Sequence, residues 1–159
     1  MRSARITYIA LLTALAAVFG YIESLFPIPV PIPGIKLGIS NIAVLFALYK
    51  MNKSDAFFVM LLKVLICALL FSGMSGLLYS LSGGLMSFFA MCVFKRAGLS
   101  VVGASMAGGV FHNIGQIAAA ALMLSSVGAF FYLPVLMIAG LTVGMAVGAL
   151  CSAVIARFK

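Results

Sequence analysis

Acidic residues are nearly missing from this chain: Glu23 and Asp55 are the two it has, against ten lysines and arginines and one histidine. That scarcity excludes much chemistry at once. Magnesium-assisted diphosphate chemistry needs clustered carboxylates to hold the cations, and the sequence has no DDxxD. It has no GxxxxGK[ST] phosphate loop either, so the chain by itself cannot drive transport with ATP. The three cysteines, Cys67, Cys92 and Cys151, lie far apart inside apolar runs. No CxxC or Cys/His spacing points to a metal or a disulfide framework, and they read as small packing residues. A Ser/His/Asp set is not credible when the two acids are expected at opposite membrane faces. No catalytic residue, metal site or cofactor is therefore assigned, and autonomous catalysis is not expected.

Charge is sparse overall, at 8% of residues, while 65% are hydrophobic. A soluble domain has about 25% charged and about 45–50% apolar residues. Water could not cover that much apolar surface without aggregation, so lipid must be the solvent. A transmembrane helix uses about 20 apolar residues, and six with short loops would use all 159 residues. The expectation is a single all-α transmembrane domain over 1–159, a six-helix bundle with helices at about 6–26, 37–49, 54–71, 76–94, 101–124 and 131–155. The first twenty residues resemble a signal peptide in charge and hydrophobicity. The apolar run continues to Phe26, however, and no convincing cleavage site precedes Glu23, so this stretch reads as the first transmembrane helix. After it, proline alternates with apolar residues from Pro27 to Pro33. Proline fixes φ and supplies no N–H, which makes that stretch extended. The second helix is short, and is expected to be tilted or only partly exposed to lipid.

The net charge of +8 invites a nucleic-acid reading, which fails on where the charges sit. Arg2, Arg5, Lys50, Lys53, Lys95, Arg96, Arg157 and Lys159 all lie at or beside the ends of apolar runs. No face gathers them with aromatic residues for stacking on bases. Juxtamembrane basic residues set topology and meet anionic lipid headgroups. With Arg2 and Arg5 in the cytoplasm, six crossings put eight of the ten basic residues on that side, leaving Lys36 outside and Lys63 within a helix. The expected orientation is N-in and C-in.

Polar residues inside a bilayer cost several kcal/mol unless they find partners or water, so each invites a functional explanation. Lys63 falls near the middle of the third helix, and His112 and Asn113 near the middle of the fifth. Glu23 ends the first helix, and Ser40 and Asn41 begin the second. All fall between the midplane and the outer surface. His112 and Gln116 are four apart and share a face, with Asn113 turned about 100° aside. One reading is a ligand pocket open to the outside, lined by Lys63, His112, Asn113, Gln116, Asn41 and Glu23. Lys63 and His112 then hint at an anionic or amide-bearing solute. The other reading pairs Lys63 with Glu23 and uses the amides to tie helices together. Tyr79, Ser80 and Ser82 begin the fourth helix at the same level and rank lower. The proline-rich stretch is either a stiff apolar lid over this level or a segment resting at the interface. Gly140, Gly144, Gly148, Ser152 and Ala156 recur at every fourth position, a stripe for close helix packing within the bundle. Ala10 and Ala14 form a shorter stripe on the first helix.

Several of these stretches also carry a resemblance. Lys36-Leu37-Gly38-Ile39-Ser40-Asn41-Ile42 resembles a KLGxxNI element, and Leu61-Leu62-Lys63-Val64-Leu65 resembles LLRVLL with lysine for arginine. The run from Ser80 to Ser87, the stretch Gly103–Gln116 and Tyr132-Leu133-Pro134-Val135-Leu136 match in the same order. Together they resemble the Gx transporter family, also labelled heptaprenyl diphosphate synthase component I. That family is similar to the substrate-binding S components of energy-coupling-factor (ECF) transporters, six-helix bundles that work with a T subunit and two ATPases. The resemblance implies a solute-binding subunit in a bacterial cytoplasmic membrane, with Ala10 and Ala14 at the T-subunit contact and a small-molecule ligand. The enzyme label implies instead an accessory membrane subunit of an isoprenoid or quinone synthase. Some relatives look associated with flavin-linked extracellular electron transfer.

Overall fold

A computed structural model describes residues 2–25, 36 and 38–157, and every regular element among them is helical. The order is α1 (Arg2–Leu25), α2 (Asn41–Lys50), α3 (Lys53–Cys67), a π-helical turn (Ala68–Ser72), α4 (Gly73–Arg96), α5 (Val101–Leu124), a 3-10 turn (Val127–Tyr132) and α6 (Leu133–Arg157). The proline-alternating stretch 27–34, and with it the lid expectation, lies outside the described residues.

Four helical stretches are long and apolar enough to cross a membrane: Ser3–Leu25, Lys53–Arg96, Val101–Leu124 and Val127–Arg157. Their outward faces carry large apolar side chains such as Leu69, Leu122, Val127 and Phe131, each at least 80% exposed. Water does not tolerate so much exposed apolar surface, whereas hydrocarbon does, provided the backbone is satisfied within each helix. The chain is a multi-pass membrane protein.

The Lys53–Arg96 stretch is 44 residues long, but it is a hairpin. The π-helical turn breaks the regular hydrogen-bond ladder, and Gly73 then takes φ +64°, where a side chain would be strained. The chain doubles back there. The Phe57 and Phe88 rings stand 5.5 Å apart, and Met60 and Val64 pack on Gly84. Residues before the turn thus meet residues equally far beyond it, which is antiparallel packing.

Helix α2 has ten residues, a rise of about 15 Å, half the roughly 30 Å hydrocarbon thickness. As expected, only part of it is exposed: Val44, Leu45, Ala47 and Leu48 are fully buried, Ile42, Phe46 and Tyr49 are half-buried, and α1, α3, α4, α5 and α6 all touch it. It starts at Asn41 rather than at the expected 37, because Gly38 sits at φ +87° and cannot continue a right-handed helix. Lys95 closes its other end, donating to the Leu48 carbonyl at 2.6 Å and lying 4.6 Å from the Tyr49 ring centre. A cation at a helix C-terminus meets the unpaired carbonyls and the negative end of the dipole.

Helices α4, α5 and α6 pack backbone against backbone. A Cβ on Gly109 would stand 2.2 Å from the Gly140 carbonyl oxygen, one on Gly144 2.7 Å from that of Ser105, and one on Gly115 2.7 Å from that of Ser82. The glycine stripe of α6 therefore serves packing within the bundle. Its pairing also runs α6 antiparallel to α5, since Gly148 meets Val102 and Gly140 meets Gly109. At the end where α3 begins, Arg5 donates from Nε to Asp55 Oδ1 at 2.7 Å, and a second guanidinium nitrogen reaches the same oxygen. Together with the antiparallel packing and the Lys95–Leu48 bond, this gathers Arg5, Lys50, Lys53, Lys95, Arg96 and Arg157 at one end of the bundle.

Candidate functional site

The site is built around the two turns of backbone that lead into α2. The Gly38 carbonyl accepts from the Asn41 N–H at 2.9 Å, while the Gly38 N–H donates to Oε1 of Glu23 at the end of α1. Just upstream, the Lys36 N–H donates to Gln116 Oε1 on α5 at 3.3 Å, and its ammonium donates to Ser72 Oγ at 2.7 Å. The entry to α2 is thus tied to α1, to α5 and to the α3–α4 hairpin. Gly38 leaves no room for a side chain: a Cβ there would lie 2.8 Å from Asn41 Nδ2 and 3.1 Å from His112 Cδ2.

Lys63 comes from mid-α3 and donates to Asn41 Oδ1 at 2.5 Å. Burying an ammonium in an apolar bundle is unfavourable by several kcal/mol unless it is paired or hydrogen-bonded, and one amide oxygen uses one of its three protons. Among the described residues no ion pair joins Lys63 to Glu23, although both are buried. Instead both line one small cavity together with Lys36, Gly38, Ser40 and His112. It has room for about one or two waters. Cys67 and Gly20 close its α1–α3 side, with the thiol filling the space a Gly20 side chain would take.

Around this cavity lie polar atoms that no protein group satisfies. Glu23 Oε2 and His112 Nδ1 are buried without a hydrogen-bond partner, and so is Gln116 Nε2 one helical turn from His112. Each such atom costs about 1–3 kcal/mol of lost hydration, so three amount to about 3–9 kcal/mol if left alone. That is comparable with the whole stability of a domain, about 5–15 kcal/mol. A guest that supplies the missing hydrogen bonds removes the penalty.

The anticipated site residues do not all meet here. Glu23, Lys63 and His112 line the cavity, Asn41 adjoins it by holding Lys63, and Gln116 adjoins it by holding the Lys36 backbone. Asn113 turns the other way, donating from Nδ2 to the Leu136 carbonyl of α6, so it ties helices together as the second reading of the amides has it. Tyr79 is buried with Ile117, Ala120 and Leu136 in a separate apolar cluster. Ala10 and Ala14 lie exposed on the outer face of α1. Gly38, Ser72 and Cys67 were not anticipated. The positive φ of Gly38 was hinted at by a glycine just before the Ser40-Asn41 helix start, but the other two carry no distinguishing sequence signal. On the far side of Asn41 a second, smaller cavity is lined by Ser87, Ser105, Gly109 and Gly144, with Ser87 Oγ unpartnered.

The family model described as heptaprenyl diphosphate synthase component I matches residues 12–154. The chain belongs to that family. The match spans every residue that lines the cavity just described, from Gly20 to His112, so the buried polar site lies within the family's own extent. No curated protein and no solved structure matches the chain. The family description names a component of a synthase, and this chain has just two acids, Glu23 and Asp55. One faces the cavity, while the other is held by Arg5 in the first turn of α3.

Proposed function

We propose that this chain is a membrane-embedded, solute-binding subunit of the S-component type. It takes up a small polar solute into the cavity between α1, α2, α3 and α5 and is energised by partner ATPases through a T subunit. The observation that carries the reading is the set of unpartnered buried atoms, Glu23 Oε2, His112 Nδ1 and Gln116 Nε2, beside a cavity that also presents Lys63. A guest or water satisfies hydrogen-bonding groups buried without protein partners, and three of the seven such atoms among the described residues gather here. In this reading the chain crosses a bacterial cytoplasmic membrane six times, with the α3–α4 hairpin counting twice and α2 as a short crossing. Both ends are cytoplasmic, because the basic residues gathered at one end of the bundle obey the positive-inside bias. Ala10 and Ala14, exposed on α1, form the small-residue face against which a T-subunit helix packs.

A second reading is favoured by the family description itself. In it the chain is a non-catalytic membrane subunit beside a prenyl diphosphate synthase, or beside a flavin-linked extracellular electron-transfer assembly, and supplies no carboxylates for chemistry. Affinity purification of the full chain in mild detergent separates the two. Co-purifying ATPases and a T subunit support transport. A prenyl synthase or a redox partner in their place overturns it in favour of the accessory role. Native mass spectrometry of the same sample tests for a bound small molecule.

A further inference from the structure

The cavity holds two oppositely charged side chains that do not touch each other. Glu23 and Lys63 are both buried and line the same small space, yet each is held by a different neutral partner. Glu23 accepts from the Gly38 N–H, and Lys63 donates to Asn41. Oppositely charged groups confined together in a low-dielectric site ordinarily close into an ion pair. Here Gly38 and Asn41, both fixed at the start of α2, keep them separate. One carboxylate oxygen, Glu23 Oε2, is left with no partner, and Lys63 retains protons beyond the one given to Asn41.

We propose that the solute is a small zwitterion, or the zwitterionic head of a larger molecule, with its anionic group against Lys63 and its cationic group against Glu23. This assignment rests on the solute-binding reading above. A solute with only an anionic group would gain Lys63 but would bring like charge beside Glu23. A solute with only a cationic group would meet the converse repulsion. A zwitterion satisfies both ends at once, and repulsion against either half-molecule supplies the selectivity. His112, whose Cδ2–Nε2 edge lies against Gly38 on the same wall, adds a neutral hydrogen bond. The cavity has room for about one or two waters as it stands. Admitting a group of amino-acid size therefore requires the α1 wall to step outward. Helix α1 packs on α2 and α3, and its outer face is exposed, so such a step leaves the α4–α5–α6 contacts intact.

The test uses the full chain in lipid nanodiscs and the zwitterions glycine, β-alanine and γ-aminobutyrate, which separate the two charges progressively. Each is compared, by thermal stabilisation and by calorimetric titration, with the carboxylate and the amine of the same chain length. The expected result is that at least one zwitterion binds about tenfold or more tightly than both of its half-molecules. Glu23→Gln should erase its advantage over the carboxylate, and Lys63→Met its advantage over the amine. Glu23→Asp and Lys63→Arg, which keep the charges, should retain part of both advantages, guarding against variants that merely misfold. Equal binding of a carboxylate or an amine overturns the zwitterion assignment while leaving a solute site in place. If none of the probes binds, the zwitterion assignment falls. Native mass spectrometry then decides the parent reading: a co-purified small molecule of single charge keeps it, and an empty protein ends it.

Discussion

Gly38→Ala is the substitution that bears most directly on how the site is seated, and its effect can be worked from geometry. Gly38 has φ +87°. Holding an L-residue in the left-handed region costs about 1–2 kcal/mol. The new Cβ would also stand 2.8 Å from Asn41 Nδ2 and 3.1 Å from His112 Cδ2, and overpacking of a tight site costs about 1–3 kcal/mol more. The sum is about 2–5 kcal/mol. Two internal controls separate the terms. Gly73 and Gly98 have φ +64° and +84°, but a Cβ at either meets nothing within 4 Å, so alanine should cost only a backbone share, about 1–2 kcal/mol at Gly98 and about 1–3 kcal/mol at Gly73, whose ψ of −167° lies in a region kept for glycine. The three variants should be compared by reversible unfolding in mixed micelles, alongside solute retention in native mass spectra. Gly38→Ala should be the least stable and the one to lose solute, because the displaced Asn41 can no longer hold Lys63. If it matches Gly98→Ala in both measurements, the close seating of Asn41 and His112 against Gly38 is not what organises the site.

Other expectations follow from the same contacts. Lys63→Ala should abolish solute binding while the fold is retained, read by native mass spectrometry and circular dichroism; unchanged affinity would remove Lys63 from the site. Gly109→Leu should destabilise the bundle by about 4 kcal/mol or more through the α5–α6 contact, because even its first carbon would lie 2.2 Å from the Gly140 oxygen. Stability within about 1 kcal/mol of the parent chain would refute that packing. Asp55→Ala should cost about 1–3 kcal/mol by removing a charge-assisted hydrogen bond, a range held low because the Arg5 side chain is half exposed. An unfolding midpoint that does not move would mean that the pair contributes nothing. The double variant Ala10→Leu with Ala14→Leu should leave the isolated chain's stability within about 0.5 kcal/mol, since both positions are exposed, yet reduce co-purification of a T subunit. Undiminished co-purification would take that face of α1 out of the coupling surface.

Some of this was legible residue by residue. The apolar runs and their basic ends located the helices to within a few positions, and α5 runs from Val101 to Leu124 as the pattern required. The depth argument placed Glu23, Lys63 and His112 at one level, and they line one cavity. It failed to tell which way an amide turns: Asn113 and Gln116 lie on one helix, yet the first holds α6 while the second holds the Lys36 backbone. The partner of Lys63 is Asn41 rather than Glu23. The fate of the residues around 27–34 lies outside the described structure.

The chain's own composition determines its solvent, because 65% hydrophobic residues with 8% charged leave lipid as the medium in which the surface is stable. It also fixes how far along its own helix each polar group falls, since rise per residue is constant along a helix. Only the tertiary structure decides that the ten-residue α2 touches all five other helices, and which polar atoms are left without partners. Those outcomes depend on how far each helix is rotated about its axis, and that rotation is set where glycine backbones touch across α4, α5 and α6, contacts between residues distant in sequence.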